Sequence, residues 1–247
     1  MTVEDLDLCY GAVQATEGLT FDVEPGEFVS LIGPSGCGKS SALRALGGLL
    51  KPAAGRVRID GEEVTGPRPA DVAYVFQDLA LFPWRSARRN VEVPLELRGL
   101  PRRERRRRSG ELLELVGLAD AADQVPAQLS GGMRQRVAIA RALACDAGIL
   151  LLDEPFAALD EQTRLMLGAE LLRLLSERGK TVVFVTHSLP EAAYLADRIV
   201  VLSGRPARVK EVIEVPLPRP REPGMVRTPQ FHALQDRLAA LLLERQG

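Results

Sequence analysis

One eight-residue stretch constrains this chain more than any other part of its sequence. Residues 33–40 read GPSGCGKS, which fits the pattern G-x-x-x-x-G-K-[ST]. An apolar run at 28–32 precedes the stretch, and leucines at helical spacing follow it. The stretch therefore predicts a loop that leads from a buried strand into a helix and wraps a phosphate group.

Each residue type in this loop has a physical role in binding a nucleoside triphosphate. Gly33, Gly36 and Gly38 let the backbone curl, so that its N–H groups approach the phosphate oxygens. The start of the following helix adds a dipole that favours anions. Lys39 brings a positive charge to the β- and γ-phosphates, and the Ser40 hydroxyl is a ligand for Mg²⁺. A glycine-rich turn that fits the pattern by chance is the alternative, and the flanking segments disfavour it.

A second apolar run ends in two carboxylates. Residues 149–152 are Ile-Leu-Leu-Leu, and Asp153 and Glu154 follow them. A continuous apolar run is typical of a buried parallel strand, and open α/β sheets bind ligands at the carboxyl ends of their strands. We therefore expect Asp153 beside the Mg²⁺ and Glu154 where it polarises a water for in-line attack on the γ-phosphate. A strand that ends in an ordinary polar turn is the alternative.

Residues 129–133, LSGGM, predict a second helix start that binds an anion. Ser130 is a good N-cap, and Gly131 and Gly132 expose backbone N–H groups at the same place. Two phosphate sites on one chain suggest a nucleotide held between two subunits. Taken alone, the stretch would be an ordinary capped helix.

The remaining segments predict an α/β fold with two additions. Strands alternate with helices from residue 149 to residue 185, which indicates a parallel core. About residues 78–145 are helical in pattern and predict an inserted subdomain. Four prolines between 216 and 223 predict a stiff spacer before a last helix, so that about 216–247 form a C-terminal extension. We expect residues 1–247 to form one domain.

Composition and charge exclude several classes of protein. The chain has 32 basic and 33 acidic residues, which disfavours a globally basic nucleic-acid-binding surface. No run approaches the roughly 18 to 20 apolar residues of a membrane span, and the acidic N-terminus is unlike a signal peptide. The three cysteines are far apart and favour a reducing compartment. The chain is therefore expected in the cytoplasm.

Together these stretches resemble the ATP-binding subunits of ABC transporters, in the same order and with similar spacing. The resemblance implies an ABC-type P-loop ATPase with an N-terminal antiparallel β subdomain and an inserted helical subdomain, binding ATP and Mg²⁺. It also implies that residues 156–160 cross a dimer interface. Ser41, Met133 and Ser188 depart from the residues most usual in the family, with little consequence for the chemistry.

The resemblance also assigns roles to single residues. Tyr10 would stack on adenine, and Gln77 and His187 would sense and contact the γ-phosphate; taken alone, they would be a core aromatic, a surface residue and a capped core residue. The implied nucleotide-binding residues are Tyr10, Gly33, Ser35, Gly36, Cys37, Gly38, Lys39, Ser40, Ser41, Ser130, Gly131 and Gly132. The implied catalytic residues are Glu154, His187 and Gln77, and the implied Mg²⁺ ligands are Ser40, Gln77 and Asp153.

A narrower resemblance concerns the segments FQDLALFPWR at 76–85 and DEPFAALD at 153–160. They are similar to the branch of importers for nitrate, sulfonates or taurine. This branch implies two copies in a head-to-tail ATP sandwich, integral membrane permease subunits, and indirectly a separate solute-binding protein. The chain would then lie at the inner face of the cell membrane.

Two other functions are alternatives to this interpretation, and one charged run suggests a nucleic-acid site. A soluble ABC ATPase of DNA repair or translation would bring paired units, long coiled coils or iron–sulfur cysteines, and none is present in the sequence. A small-metabolite kinase would not need residues 129–133. The run RRERRRR at 102–108 has no interleaved aromatic residues, so we favour a solvated helix face over a nucleic-acid site, with acidic headgroups or the permease as minor partners.

Overall fold

The structure, a computed structural model, describes residues 1–243 and places their strands in two sheets. The first sheet has four strands and is antiparallel. The second sheet has six strands, five of which are parallel to one another. The strands are β1 (Thr2–Tyr10), β2 (Val13–Asp22), β3 (Phe28–Ile32), β4 (Ala54–Ile59), β5 (Glu62–Glu63), β6 (Val72–Val75), β7 (Ile149–Asp153), β8 (Thr181–Val185), β9 (Arg198–Leu202) and β10 (Val209–Glu214). These sheets confirm the predicted fold class, including its N-terminal antiparallel part.

The antiparallel sheet has the order β2-β1-β4-β5. Its last hairpin turns at Asp60 and Gly61, which both have positive φ, at 51° and 81°. Two successive positive φ values suit a two-residue hairpin loop because they match the twist of the strands, and Asp-Gly is a preferred pair there. The Asp-Gly step in the sequence thus accounts for this turn.

The six-stranded sheet has the order β10-β9-β3-β8-β7-β6. Strands β3, β7 and β8 are buried along their whole length, as continuous apolar runs require. Five neighbouring strands are parallel, and only β10 is antiparallel to its neighbour. The carboxyl ends of β3, β8, β7 and β6 therefore lie side by side at one edge, and the segments that follow them form the candidate site.

Seven α-helices are found among the described residues. They are α1 (Lys39–Leu46), α2 (Ala87–Leu97), α3 (Arg102–Leu115), α4 (Gly131–Ala144), α5 (Glu161–Glu177), α6 (Leu189–Leu195) and α7 (Pro229–Leu243). The predicted helical segment, about residues 78–145, contains α2, α3 and α4; its status as a separate subdomain stays a prediction. Within residues 1–243, no helix combines the length and apolarity needed to cross a membrane.

Local sequence explains where several helices begin and end. Side chains of Ser86, Ser130, Asp160 and Ser188 accept a backbone hydrogen bond at the starts of α2, α4, α5 and α6. Gly99 and Gly117, which both have positive φ, follow α2 and α3, and glycine is favoured at such helix ends.

The arginine run at 102–108 lies on α3. Glu104 in this run pairs with Arg107 and Arg108, and the hydrogen bonds from these two arginines lower the pKa of the Glu104 carboxyl to about 2.

The parallel sheet separates two apolar cores. Alternate side chains of a strand point to opposite faces, so Phe28 and Ile32 join the core beneath α2–α6, whereas Val29 and Leu31 join the core shared with α1 and the antiparallel sheet. The sheet is therefore the middle layer of three, and both of its faces are covered. This packing fixes the strand ends at which the candidate site is built.

The predicted C-terminal extension packs against the first of these cores. Phe231, Leu234 and Leu238 of α7 are buried there and form the apolar face of the predicted last helix. Before α7, the buried Arg221 donates hydrogen bonds to the carbonyls of Tyr194 and Ala196, which attaches the proline-rich segment to α6. Residues 244–247 of the predicted extension lie outside the described residues.

Candidate nucleotide-binding site

The phosphate loop leaves β3 and enters α1 through a tight curl. Lys39 is buried inside the curl, and its Nζ donates to the carbonyl oxygens of Gly33 at 2.8 Å and Pro34 at 2.9 Å. Gly38 has φ +123°, and a Cβ there would lie 2.7 Å from the carbonyl oxygen of Ala15. A side chain at this position is excluded both by conformation and by space, so the loop needs a glycine.

The other residues of the loop divide into exposed and buried positions. Ser35 and Gly36 are exposed, whereas Cys37 is buried with its Sγ near the Lys39 ammonium group, 3.9 Å away. Gly36 has φ +73° and open space around it. The loop thus presents backbone groups outward and keeps its lysine folded inward, close to where the predicted phosphates would bind.

Ser40 and Asp153 meet between the phosphate loop and the end of β7. The Ser40 Oγ donates to Asp153 Oδ1 at 2.9 Å, and Asp153 is only 1 % exposed. Burial raises the pKa of this carboxyl above its usual range, the Ser40 hydrogen bond opposes the rise, and the charge of Glu154 adds to it. A hydroxyl beside a carboxylate is the hard oxygen donor set that Mg²⁺ prefers, so these two residues fit the predicted ion.

Glu154 follows at the edge of the sheet, next to His187. Its backbone N–H donates to the carbonyl of Val185 at 3.0 Å, and its φ is +49°, a left-handed value that non-glycine residues rarely adopt. Its side chain is 21 % exposed, and Oε2 lies 3.3 Å from Nδ1 of His187, whose side chain is 63 % exposed. A carboxylate in this position is accessible to a water molecule and has a hydrogen-bonding partner beside it.

Gln77 follows β6 at the same edge of the sheet. The residue is exposed, and among residues 1–243 its side chain has no hydrogen-bond partner. The loop behind it is attached to α4, since Arg141 donates to the carbonyls of Leu79 and Ala80, both at 2.6 Å. Burial lowers the pKa of Arg141. The structure thus places Gln77 at the same sheet edge as the site, and within residues 1–243 no hydrogen bond joins it to Ser40 or Asp153.

The segment at 129–133 forms the start of α4. The Ser130 Oγ accepts a hydrogen bond from the Met133 N–H at 3.2 Å, and Ser130 is exposed. A Cβ on Gly132 would lie 3.1 Å from the carbonyl oxygen of Ala158, so α4 packs closely on the predicted interface loop. Within the described chain, no hydrogen bond joins this segment to the phosphate loop.

Tyr10, at the end of β1, lies beside the start of α1. Its hydroxyl donates to the Ser41 Oγ at 3.1 Å, and the residue is 43 % exposed. The hydrogen bond fixes one end of the ring, while a large part of its surface stays open. An exposed aromatic surface next to a phosphate loop suits stacking with a nucleobase.

Gln135 is a buried polar residue that the sequence prediction missed. It lies on α4, is 5 % exposed, and its Oε1 accepts a hydrogen bond from the Ala158 N–H at 2.8 Å. Its Nε2 donates to the carbonyl of Glu154 at 3.4 Å. The available signal was its spacing of i, i+4 and i+7 with the buried residues Ile139 and Ala142, where a glutamine is out of place unless it is hydrogen-bonded.

Arg164 and Glu191 form a second connection that was missed. The buried Glu191 accepts a hydrogen bond from the Thr186 hydroxyl at 2.6 Å and lies 3.2 Å from Arg164 Nε. Arg164 also donates to the carbonyl of Leu159 at 2.9 Å. Burial raises the pKa of Glu191, and the charge of Arg164 and the Thr186 hydrogen bond oppose the rise. The predicted interface loop is therefore connected to the residue before His187.

Comparison with known proteins identifies relatives of this chain. The family model for ABC transporters matches residues 16–157. An uncharacterized ABC transporter ATP-binding protein of Methanocaldococcus jannaschii is 51% identical over 210 residues, which are 85% of this chain and 78% of the relative. Among solved structures, the dimeric ATP-binding cassette MJ0796 in a post-hydrolysis state, bound to ADP and Pi, has a TM-score of 0.81 and 35% identity, with 87% of this chain and 98% of that chain covered.

Two relatives from Synechococcus elongatus carry names that include a transported solute. The nitrate import ATP-binding protein NrtC is 44% identical over 240 residues, 96% of this chain and 36% of the relative. The bicarbonate transport ATP-binding protein CmpC is 44% identical over 236 residues, 94% of this chain and 35% of the relative. The chain therefore spans about a third of each of these longer proteins.

Proposed function

The chain belongs to the ABC transporter family, and from that premise we propose that it energises import of a small anionic or organic solute such as nitrate, a sulfonate or taurine. It is an ATP-binding subunit and an ATPase. The observation that carries the ATPase part of the proposal is the meeting of Ser40 with Asp153, and of Glu154 with His187, at one sheet edge. The similarity to an importer subunit for nitrate supports an anionic solute.

Each residue of the site has a separate role in the binding and hydrolysis of ATP. Lys39 and the backbone of the phosphate loop hold the β- and γ-phosphates, with Tyr10 against the adenine. Ser40, Asp153 and Gln77 hold Mg²⁺, which when bound neutralises charge on the phosphate oxygens. Glu154 accepts a proton from the water that attacks the γ-phosphorus in line, and the bond to the β-phosphate oxygen breaks. His187 orients the Glu154 carboxylate and contacts the γ-phosphate.

A second copy of the chain completes each site in this proposal. One chain contributes the phosphate loop, Glu154 and His187, and its partner contributes Ser130, Gly131 and Gly132. ATP then binds the closed dimer more tightly than the open one, and only such a difference in affinity shifts a conformational equilibrium. The dimeric state of the similar cassette MJ0796 supports this arrangement.

The membrane partners belong to the proposal as well. We propose that closure of the dimer moves integral membrane permease subunits, that a solute-binding protein supplies the solute, and that the chain sits at the inner face of the cell membrane. An ABC-type ATPase that is not coupled to transport is the alternative. A transport subunit would have a multi-span membrane partner, whereas an uncoupled ATPase would not.

Co-purification from native membranes tests the proposal. The tagged chain is extracted in a mild detergent, and the bound proteins are identified by mass. We expect a stoichiometric multi-span partner, and an accompanying solute-binding protein would identify the solute class. Recovery of the chain without any membrane partner, after controls for partner loss, would contradict the transport role and leave the ATPase chemistry in place.

A further inference from the structure

We infer that Gln135 is a positioning residue that couples the two nucleotide sites of the dimer. The inference rests on the proposed function, because it takes Ser130 as a contact of one nucleotide and Glu154 as the base acting on the other. Both residues belong to the same chain, and Gln135 lies between them in the structure. The coupling would therefore run through a single side-chain amide.

The geometry of the amide supports this role. Ser130 caps α4, and Gln135 lies five residues later on the same helix. Its Oε1 accepts from the Ala158 N–H at 2.8 Å, and its Nε2 donates to the Glu154 carbonyl at 3.4 Å. One buried side chain thus holds both the base and the interface loop, and a displacement of α4 displaces both of them.

The backbone at Glu154 needs such support. Its φ of +49° is unfavourable for a residue with a Cβ, and such conformations persist where surrounding bonds hold them. The Glu154 N–H is held by the Val185 carbonyl, and the Glu154 carbonyl accepts from Ala157 N–H at 3.2 Å and from Gln135. Gln135 is the member of this group that comes from α4, so it connects the strained base to the helix that begins at Ser130.

This connection gives the two sites a physical route of communication. A nucleotide that contacts Ser130 and Gly131 of one chain restrains the start of α4, and α4 moves as a rigid element. Gln135 transmits that restraint to the Glu154 backbone, which sets the direction of the carboxylate toward the other nucleotide. The restraint that one nucleotide imposes on α4 thus reaches the base that acts on the other nucleotide.

Steady-state ATP hydrolysis by the purified full chain tests the inference. Gln135→Met keeps the size of the side chain and removes both hydrogen bonds, whereas Gln135→Glu keeps the acceptor for Ala158 N–H and removes the donor to Glu154. We expect kcat to fall by about tenfold or more in Gln135→Met, because misplacement of a reacting group lowers the rate steeply. The loss should be similar in Gln135→Glu, because that variant also loses the bond to the Glu154 carbonyl. Gln230→Met, at an exposed position on α7, is the matched control.

Two further readouts separate positioning from a merely structural role. We expect a Hill coefficient for ATP above 1 in the wild type and of about 1 in Gln135→Met, since the coupling free energy is lost in the variant. The melting temperature should fall by a few degrees at most, since two hydrogen bonds of a buried side chain are lost, so both chains are folded at the assay temperature. If Gln135→Met does not fold, Gln135→Glu decides the question by the same readouts.

The outcomes that overturn the inference differ from those that overturn the proposed function. A wild-type Hill coefficient of 1, or a Gln135→Met chain with wild-type kcat and Hill coefficient, overturns the coupling. A Gln135→Met chain that loses kcat but keeps the wild-type Hill coefficient does the same. Glu154→Gln, measured in parallel, tests the proposed catalytic base: wild-type turnover in that variant overturns the proposed function itself.

Discussion

Ser40 and Asp153, 113 residues apart in sequence, share a hydrogen bond of 2.9 Å between Oγ and Oδ1. The bond exists because β3 and β7 are parallel strands on either side of β8, so that their carboxyl ends lie at the same edge of the sheet. The hydroxyl and the carboxylate are thus two hard oxygen ligands side by side. Their distance from each other is set by the sheet and by the curl of the phosphate loop.

We predict that Asp153→Asn changes the Mg²⁺ requirement of ATP hydrolysis. The amide oxygen still accepts the Ser40 hydrogen bond, but the negative charge that favours the ion is gone. The Mg²⁺ concentration that gives half-maximal activity should rise by about tenfold or more, because the ion loses a charged ligand. A titration of ATPase activity with Mg²⁺ measures the shift. Asp123→Asn, at an exposed position, is the control, and an unchanged midpoint in Asp153→Asn would exclude a role in binding the ion.

The sequence was sufficient to predict those elements whose signals are local. Strand β3 has the predicted bounds, because it is an apolar run that ends at a glycine. The phosphate loop and the acidic end of β7 were predictable for the same reason: their chemistry requires particular residue types at fixed spacing. Parallel strands then bring these ends together, which a rule about sheet edges anticipates.

The missed residues depend on contacts between distant segments. Glu191 pairs with Arg164, 27 positions earlier, and nothing in the local pattern around either residue indicates its partner. Gln135 resembles a misplaced polar residue on an apolar helix face until the backbone of Ala158 is brought against it. Such connections follow from tertiary packing, so their residues carry weak local signals.

We predict that Glu154→Gln abolishes turnover and leaves ATP bound. The amide keeps the size of the side chain but does not accept a proton from the attacking water. Loss of a general base lowers the rate by about 10² to 10⁴. Size-exclusion chromatography with ATP should show the variant trapped as a dimer, and a turnover assay measures the loss. Glu222→Gln, at an exposed position before α7, is the matched control, and wild-type turnover in Glu154→Gln would refute the assignment.

We predict that Gly38→Ala prevents ATP binding. The new Cβ would lie 2.7 Å from the backbone oxygen of Ala15, and a φ of +123° is closed to alanine. The loop must therefore shift away from the geometry that holds Lys39. Equilibrium binding of a fluorescent ATP analogue measures the loss, and Lys39→Ala should behave alike.

Gly18→Ala is the control for backbone strain. Gly18 has φ +57°, and no atom lies within 4 Å of the place that an alanine Cβ would take. The substitution therefore costs only the strain of a left-handed backbone. That cost is about 1 kcal/mol of unfolding free energy, and ATP binding should be normal. If the two alanine variants bind ATP equally well, the close approach at Gly38 does not matter for the site.

We predict that the aromatic ring of Tyr10, and not its hydroxyl, contributes to ATP affinity. Tyr10→Ala removes the stacking surface and should weaken binding by about 1 to 3 kcal/mol, the range for a base stacked on an aromatic side chain. Tyr10→Phe loses only the hydrogen bond to Ser41 and should bind ATP nearly as well as the wild type. Calorimetric titration with ATP compares the three chains. Equal affinities in Tyr10→Ala and the wild type would place the adenine elsewhere.

The buried pair of Arg164 and Glu191 leads to a prediction about stability and pH. Arg164→Met leaves the Glu191 carboxylate buried without its positive partner, so its pKa, which burial already raises, rises further. Removing one member of a buried pair costs about 3 to 5 kcal/mol, and because Arg164 is partly exposed we expect about 2 kcal/mol at pH 8. Denaturant unfolding of variant and wild type measures the difference.

The pH dependence of that loss separates charge from packing. A carboxyl whose pKa is higher in the folded than in the unfolded chain binds protons more tightly when folded. The penalty is therefore absent below the unfolded pKa, about 4.3 for glutamate, and it grows as pH rises through the folded value. The loss in Arg164→Met should be largest at pH 8 and shrink toward pH 4. Arg164→Met/Glu191→Gln, which has no buried charge, should regain most of the stability and show no such slope. A loss that is the same at every pH would instead assign the effect to the packing of the Arg164 side chain and its bond to Leu159.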